Sequence, residues 1–391
     1  MATWRLIVTA PDGAGHESLI TTEVPISSAD ITVSLSAPGS LKLTVPFYVA
    51  QLKRPDGLPV FQPWGTCVYA ERDGVIVSGG IVTDTEAAGT QLSVTAVGFL
   101  GYWKGMPYMD DYKVYEADPL DVARLILAHV QGQKGGNIGL AASPLKSRAT
   151  VGVRGRAAFR GRPDIKDANG NVVLPAIAPS PEVKDEPYLL SWYQTTDLLD
   201  EFNKLAKATP FDYAERHFWS GGQIAHVVDF GYPVIGTRRP NLRFILGENL
   251  IEAPKTYQAG DSYASTILGL GSGEGSKKLR VEQTVPGATR LRRVDIYNNQ
   301  SIGRTPTMQA ILVKRANNLT GLPTAGDFSV IDSPNAPIGS FQVGDTVFVQ
   351  GDDSWYGDAA DKWARIVSMT YKPGTEDEVS ITVVKEENEL A

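Results

Sequence analysis

Four glycines, Gly269, Gly271, Gly273 and Gly275, alternate with other residues and run into Lys277 and Lys278. Backbone amides beside a lysine are what a phosphate-cradling loop uses. The pattern fails in detail, because that loop needs Gly-Lys-Ser/Thr in succession and Ser276 separates Gly275 from Lys277. A dinucleotide-binding turn would open a helix, whereas Leu279, Arg280 and Val281 read as strand. The four glycines are therefore expected to make a turn or bulge between strands, as structural or interface positions. Asp167, Asn169 and Asn171 resemble the middle of a calcium loop. Its first and twelfth ligands would be Ile165 and Ala176, which cannot bind calcium.

Among four histidines, His217 and His226 lie nine residues apart with Asp212, Glu215 and Asp229 nearby. No His-x-x-x-His or His-Glu-x-x-His spacing exists, so no metal site is assigned and paired or solvated strand histidines are expected. His129 falls on the apolar face of a helix and is expected to pack. The single cysteine, Cys67, excludes an internal disulfide and a thiolate zinc cage, and no Gly-x-Ser-x-Gly elbow is present. Carboxylates such as Asp352, Asp353 and Asp358 sit in polar loops with no pairing evident. No catalytic residue and no cofactor is assigned, and the chain is expected not to be an enzyme. One basic feature remains: Arg148, Arg154, Arg156, Arg160 and Arg162, spaced among Gly and Ala with Phe159 alone for stacking. That composition suits a solvated arm, or one docking on an acidic neighbouring subunit, better than a single-stranded nucleic-acid groove.

The elements that carry these residues are mostly strands. With 391 residues the chain is long enough for two to three domains. Its 42% hydrophobic and 21% charged residues are those of a globular protein, and 39 Gly with 25 Pro suit many short strands joined by turns. A net charge of -7 argues against general nucleic-acid binding. No stretch approaches the ~18 apolar residues of a membrane span, and the opening residues lack a signal peptide's basic and apolar regions, so synthesis and folding in a reducing cytoplasm are expected. Period-two alternation marks strands at Ile31–Ser36, Ser40–Val45, Gly65–Ala70 and Gln91–Val97, with turns at Asp56-Gly57, Asp73-Gly74 and Ala88-Gly89. Asp118 and Pro119 form the N-cap and first position of a helix bearing Val122, Leu125, Ile126 and His129. A second helix begins at Thr196-Asp197, with the stripe Leu198, Leu199, Phe202, Leu205 and Ala206, and ends at Pro210. Between them, residues 132–187 lose periodicity and read as a long extended excursion with a tight turn at Asn169-Gly170. From about Ser265 the pattern returns to strands.

Comparing the two ends suggests a repeat. Gly65 matches Gly344, Ile81 matches Ile366, and Val94 matches Val383. The first two landmarks lie 16 residues apart at one end and 22 at the other, a difference that loops absorb at little cost. The expected architecture is mainly β with α+β insertions. Two similar antiparallel β-barrel modules, 1–105 and 263–391, flank a helix with its Gly/Pro-rich excursion at 106–187 and a small α+β domain at 188–262.

The run Ala37–Pro46, then Ser78–Val82, then Leu92–Tyr102 resembles the N-terminal module of tail hub proteins of tailed bacteriophages, also called minor tail or tail-associated proteins. The order of later pieces is similar to that family: the helix opening at Asp118-Pro119, the helix over 195–202, the glycine-rich run 267–275 before Leu279–Val281, and the closing strands Arg365–Tyr371 and Val379–Val383. The resemblance covers most of the chain except about 132–187. It implies a homotrimeric hub at the tail tip, whose two barrels per chain make a quasi-sixfold ring abutting the tail tube. It also implies contacts with the tube or distal tail protein and with other tail-tip and tape-measure proteins, assembly in the host cytoplasm, and residence in the virion. Because the chain ends at Ala391 after its last strand, no fused hydrolase or fibre extension is expected. Two alternatives stay open: another tip component, such as a distal ring or carbohydrate-binding receptor module, and a cell-wall-cleaving enzyme using Asp212 or Asp229.

Overall fold

The computed structural model describes residues 3–385 except 55, 167–171, 175, 178–181, 210, 253–255, 258–259, 288, 300–301, 304, 320–323, 351–361 and 375–376. The chain is mainly β with α+β insertions and divides into two units, Met1–Ile235 and Gly236–Ala391. The Asn169-Gly170 turn, Pro210 and the carboxylates Asp352, Asp353 and Asp358 lie outside the described residues.

In the first unit, β1 (Trp4–Pro11), β2 (Glu17–Thr21), β3 (Ser28–Ser34), β4 (Ser40–Pro46), β5 (Cys67–Arg72), β6 (Val75–Ala88) and β7 (Gln91–Val97) pair antiparallel in the order β3-β4-β7-β6-β5-β1-β2. The alternation seen in sequence is the alternation of burial. Leu41, Leu43 and Val45 of β4 and Leu92, Val94 and Ala96 of β7 all point inward. Asp73 and Gly74, both at positive φ, make the two-residue turn between β5 and β6.

Beyond this sheet, β8 (Asp111–Val114) leads to α1 (Pro119–Gly132), followed by β9 (Leu140–Ala142), β10 (Tyr188–Ser191), α2 (Leu198–Ala208), β11 (Asp212–Ser220) and β12 (Gln223–Gly231). Both helix starts are as expected. The Asp118 carboxylate accepts from the Leu120 amide at 2.9 Å, and the Asp197 carboxylate accepts from Leu199 and Asp200 at 2.9 and 3.1 Å. All five members of the predicted α2 stripe are buried, and they share one core with Ile126 of α1 and with Ile7, Tyr69 and Phe99 from the sheet side.

The second unit contains β13 (Arg238–Ile245), β14 (Thr266–Leu270), β15 (Arg280–Thr284), β16 (Val294–Asn298), α3 (Thr305–Asn318), β17 (Phe328–Val330), β18 (Thr346–Gln350), β19 (Lys362–Lys372) and β20 (Glu378–Lys385). Its larger sheet runs β13-β18-β19-β20-β17, and a smaller one runs β15-β14-β16. The helix α3 departs from the all-strand expectation for this end. Among its described residues Met308, Leu312 and Ala316 are buried with Ile311 partly buried beside them, a thin stripe among polar residues, and packing on the smaller sheet makes the helix.

The repeat is present, in a corrected register. The order β4-β7-β6-β5 in the first unit recurs as β17-β20-β19-β18 in the second. Each carries a bulge at the same place, between Val82 and Asp84 on β6 and between Ile366 and Ser368 on β19. The Val82 amide donates to the Thr66 carbonyl and the Ile366 amide to the Asp345 carbonyl, each at 2.9 Å. Gly65 therefore matches Gly344 as expected, but Ile366 matches Val82 rather than Ile81. Its partner Val383 matches Ala96 rather than Val94. The second shift is two residues along a strand, which keeps the same face and so leaves the hydrophobic pattern unchanged.

Candidate functional site

A buried polar cluster lies in the first unit and depends on a hairpin. Gly221 and Gly222, both at positive φ, form a two-residue turn, and β11 and β12 then pair without interruption from Ser220↔Gln223 to Asp212↔Gly231. That register sets His217 directly opposite His226. Their side chains are 5% and 4% exposed, and the two Nδ1 atoms are 3.0 Å apart. Phe99 stacks on His226 with ring centres 4.4 Å apart, and Tyr69 of β5 lies parallel to it at 5.6 Å. The Tyr69 hydroxyl donates to the Glu17 carboxylate at 2.8 Å, Thr9 donates to the same carboxylate at 2.6 Å, and His226 Nε2 faces it at 3.4 Å.

A 3.0 Å contact between two ring nitrogens needs a hydrogen on one of them, so one Nδ1 donates and the other accepts. Burial works against the charge on Glu17, but the hydrogen bonds from His226, Thr9 and Tyr69 hold its carboxyl below the ordinary range. Burial, and then the facing His226, push His217 well below the usual imidazole value. Glu215 stands two residues from His217 on the same strand and accepts from the Phe99 and Leu100 amides at 2.9 and 2.8 Å. Burial outweighs those bonds and raises its carboxyl to about 7. Cys67, also buried here, has its thiol pushed up by burial and by the Glu17 charge, the opposite of what a nucleophile requires.

Of the three carboxylates named beside these histidines in sequence, Glu215 reaches them, with its Oε2 3.9 Å from His217 Nε2, and the two aspartates do not. Asp229 pairs with Arg216 at 2.6 Å, and Asp212 accepts from the Ile235 amide at 2.8 Å. Among the described residues, no group of three His, Cys, Asp or Glu is placed to hold a metal ion. His129 packs its ring on Tyr108 at 4.1 Å and accepts from the Met109 amide at 3.0 Å, the packed role expected of it.

The arginines lie on a two-legged arm. Bridges Val153↔Glu186, Arg156↔Val183 and Arg162↔Ile177 lead to Ile165↔Leu174, so the partner numbers step in opposite senses along both legs. Arg154 sits over the Tyr115 ring at 5.4 Å near the base. Arg156 and Arg162 each exchange two backbone hydrogen bonds with their partners across the legs. The four glycines are elsewhere, in the second unit, and serve its packing. A Cβ on Gly269 would meet Met308 Sδ at 2.7 Å, one on Gly271 would meet the Ile302 carbonyl at 2.3 Å, and Gly273 and Gly275 take positive φ in the β14–β15 connection.

No family model matches the sequence, and no curated protein matches it significantly. Solved structures do. The chain aligns over 97% of its length, and 98% of the other, with the 43 kDa tail protein of prophage MuSo2 from Shewanella oneidensis, at TM-score 0.58 and 15% identity. A tail protein from Neisseria meningitidis matches at TM-score 0.55 and 15% identity over 98% and 97%. A prophage tail protein from Listeria monocytogenes matches at 0.53 and 15% over 97% and 95%. The chain has the fold of phage tail proteins.

The tail-protein fold also covers 99% of this chain, but only 58% of the other, in a chain of the Francisella PdpA–VgrG complex at TM-score 0.52 and 8% identity. At such identities the likeness shows the fold alone. Sequence reasoning missed that His217 and His226 face each other. The signal was available: Gly221-Gly222 is a two-residue hairpin turn, and from it the opposed pair follows by counting outward.

Proposed function

We propose that the chain is a structural hub of the phage tail tip. Three copies would place six strand modules in a quasi-sixfold ring that caps or extends the tail tube. That ring would anchor the tube or distal tail protein together with other tip and tape-measure proteins. The observation that carries this reading is the four-strand module repeated with the same bulge, within a chain whose fold matches tail proteins from end to end. The hub modules are 1–105 and 263–391, and the role is non-enzymatic and resident in the virion. Among the described residues no helix is long and apolar enough to cross a membrane.

Copy number tests the proposal. A reconstruction of the tail tip should place three copies in one ring with both modules at equivalent radius. Six copies would make the chain a distal ring, and direct binding of cell-wall glycan by a single copy would make it a receptor module. Turnover of host cell wall that disappears in Asp212→Asn or Asp229→Asn would replace the structural role with an enzymatic one.

A further inference from the structure

We infer that the arm whose described residues are 151–166, 172–174, 176–177 and 182–187 is a clasp that docks on the acidic body of a second copy of this chain. Among its described residues the legs are joined by isolated bridges and one short ladder, and such a hairpin is marginal in water unless something packs against it. Its apolar side chains are correspondingly uncovered: Val153, Phe159, Ile165, Val172, Leu174 and Ile177 are each 42% to 51% exposed. They concentrate in the outer half, where Ile165 faces Leu174 across the legs. Clusters of this kind on an otherwise ordinary surface mark a contact site.

Charge indicates the occupant. Leg 148–166 carries Arg148, Arg154, Arg156, Arg160, Arg162 and Lys166 against Asp164 alone, and Asp164 is engaged across the legs by the Ala176 amide at 2.5 Å. The second leg returns Glu182, Asp185 and Glu186 with Lys184 among them, all toward the base, where Asp185 accepts from the Gly155 amide. The outer half is therefore cationic and apolar together. The whole chain is at -7, so what lies outside the basic leg is more acidic still, and an identical copy carries charge of the opposite sign to that leg. The choice of a second copy rests on the multi-copy reading above; the exposed arm does not.

The test uses the full chain. Sedimentation from 50 to 500 mM NaCl should show self-association that weakens with salt, and Arg156→Glu/Arg160→Glu should weaken it about tenfold further. Phe159→Ser/Ile177→Ser should act in the same direction without salt dependence, with circular dichroism confirming an unchanged fold. Arg160→Cys carrying a photoreactive maleimide, with Cys67 fully buried, should yield a covalent product of two chains. An oligomer indifferent to both double variants and giving no such product overturns the clasp and leaves the ring intact. An arm-dependent oligomer other than a trimer supports the clasp and overturns the ring. A monomer at every concentration overturns both.

Discussion

Replacing Glu215 by Gln should change how stability depends on pH as well as stability itself. The carboxyl sits at about 7 in the folded protein against 4.5 when exposed, so between those values the folded state holds a proton that the unfolded state has released. Stability from this group is therefore present below about pH 4.5 and lost as pH rises through about 7. The difference corresponds to about 3 kcal/mol. His217 works in the opposite sense: its folded value lies well below 6.5, so the unfolded chain gains the proton first and stability falls as pH drops below 6.5. The two slopes oppose each other between about 4.5 and 6.5, and the wild-type profile there should be nearly flat. Removing Glu215 unmasks His217. Relative to wild type, Glu215→Gln should lose about 3 kcal/mol between pH 8 and pH 4.5. A side amide can accept from only one of the Phe99 and Leu100 amides, which adds a pH-independent cost of about 1–3 kcal/mol. Urea unfolding at constant ionic strength, read by hydrogen exchange in the 212–231 hairpin, separates the offset from the slope. Parallel pH profiles for the two proteins would refute the assignment of the raised carboxyl to Glu215.

Phe202→Ala should cost the first unit about 3–5 kcal/mol, because the ring is fully buried against Trp103 at 5.5 Å and Tyr213 at 4.8 Å; thermal unfolding reads the loss. Gly269→Val should destabilise the second unit by about 1–3 kcal/mol by pushing Met308 and Leu312 of α3 off the small sheet, with hydrogen exchange in 305–318 rising while 119–132 is unchanged. Asp345→Ala should cost about 2–4 kcal/mol, since this buried carboxylate accepts from the Thr237 and Gln342 amides and from Arg239, and both amides would be left without an acceptor; urea unfolding checks it.

The legible parts of the fold were those set by local chemistry. Asp118 and Asp197 announced α1 and α2 through caps that act within three residues, and β4 and β7 announced themselves through alternation that burial alone requires. What escaped depended on partners distant in sequence. The helix α3 is held by Ile267 and Val281, and its own stripe is too thin to stand out. The histidine cluster draws Glu17 from β2, Tyr69 from β5 and two residues from one hairpin, so no local spacing could display it. The register of the repeat escaped for a different reason. A bulge adds a residue without altering alternation on either side, so it is invisible to hydrophobic pattern and appears only as a break in pairing.

That bulge also marks how deep the repeat goes. Four strands correspond in order and direction, with Val82 and Ile366 as the equivalent points, and the correspondence then ends. The fifth strand of the first unit, β1, lies antiparallel to β5, whereas in the second unit β13 lies parallel to β18. What each unit adds to the four strands also differs: two capped helices and a histidine hairpin in the first, a three-stranded sheet with one helix in the second. A motif kept to the detail of a bulge, under additions that share nothing, is the pattern expected if the strands have to present the same geometry twice and the rest does not. A bulge sharpens local twist, so losing it from one copy alone would make the two modules unequal in shape. Deleting Thr83, the extra residue between Val82 and Asp84, should therefore disturb assembly into a ring more than it disturbs folding. A variant that folds, sediments as wild type and still closes the ring would break the link between the repeat and quasi-symmetry.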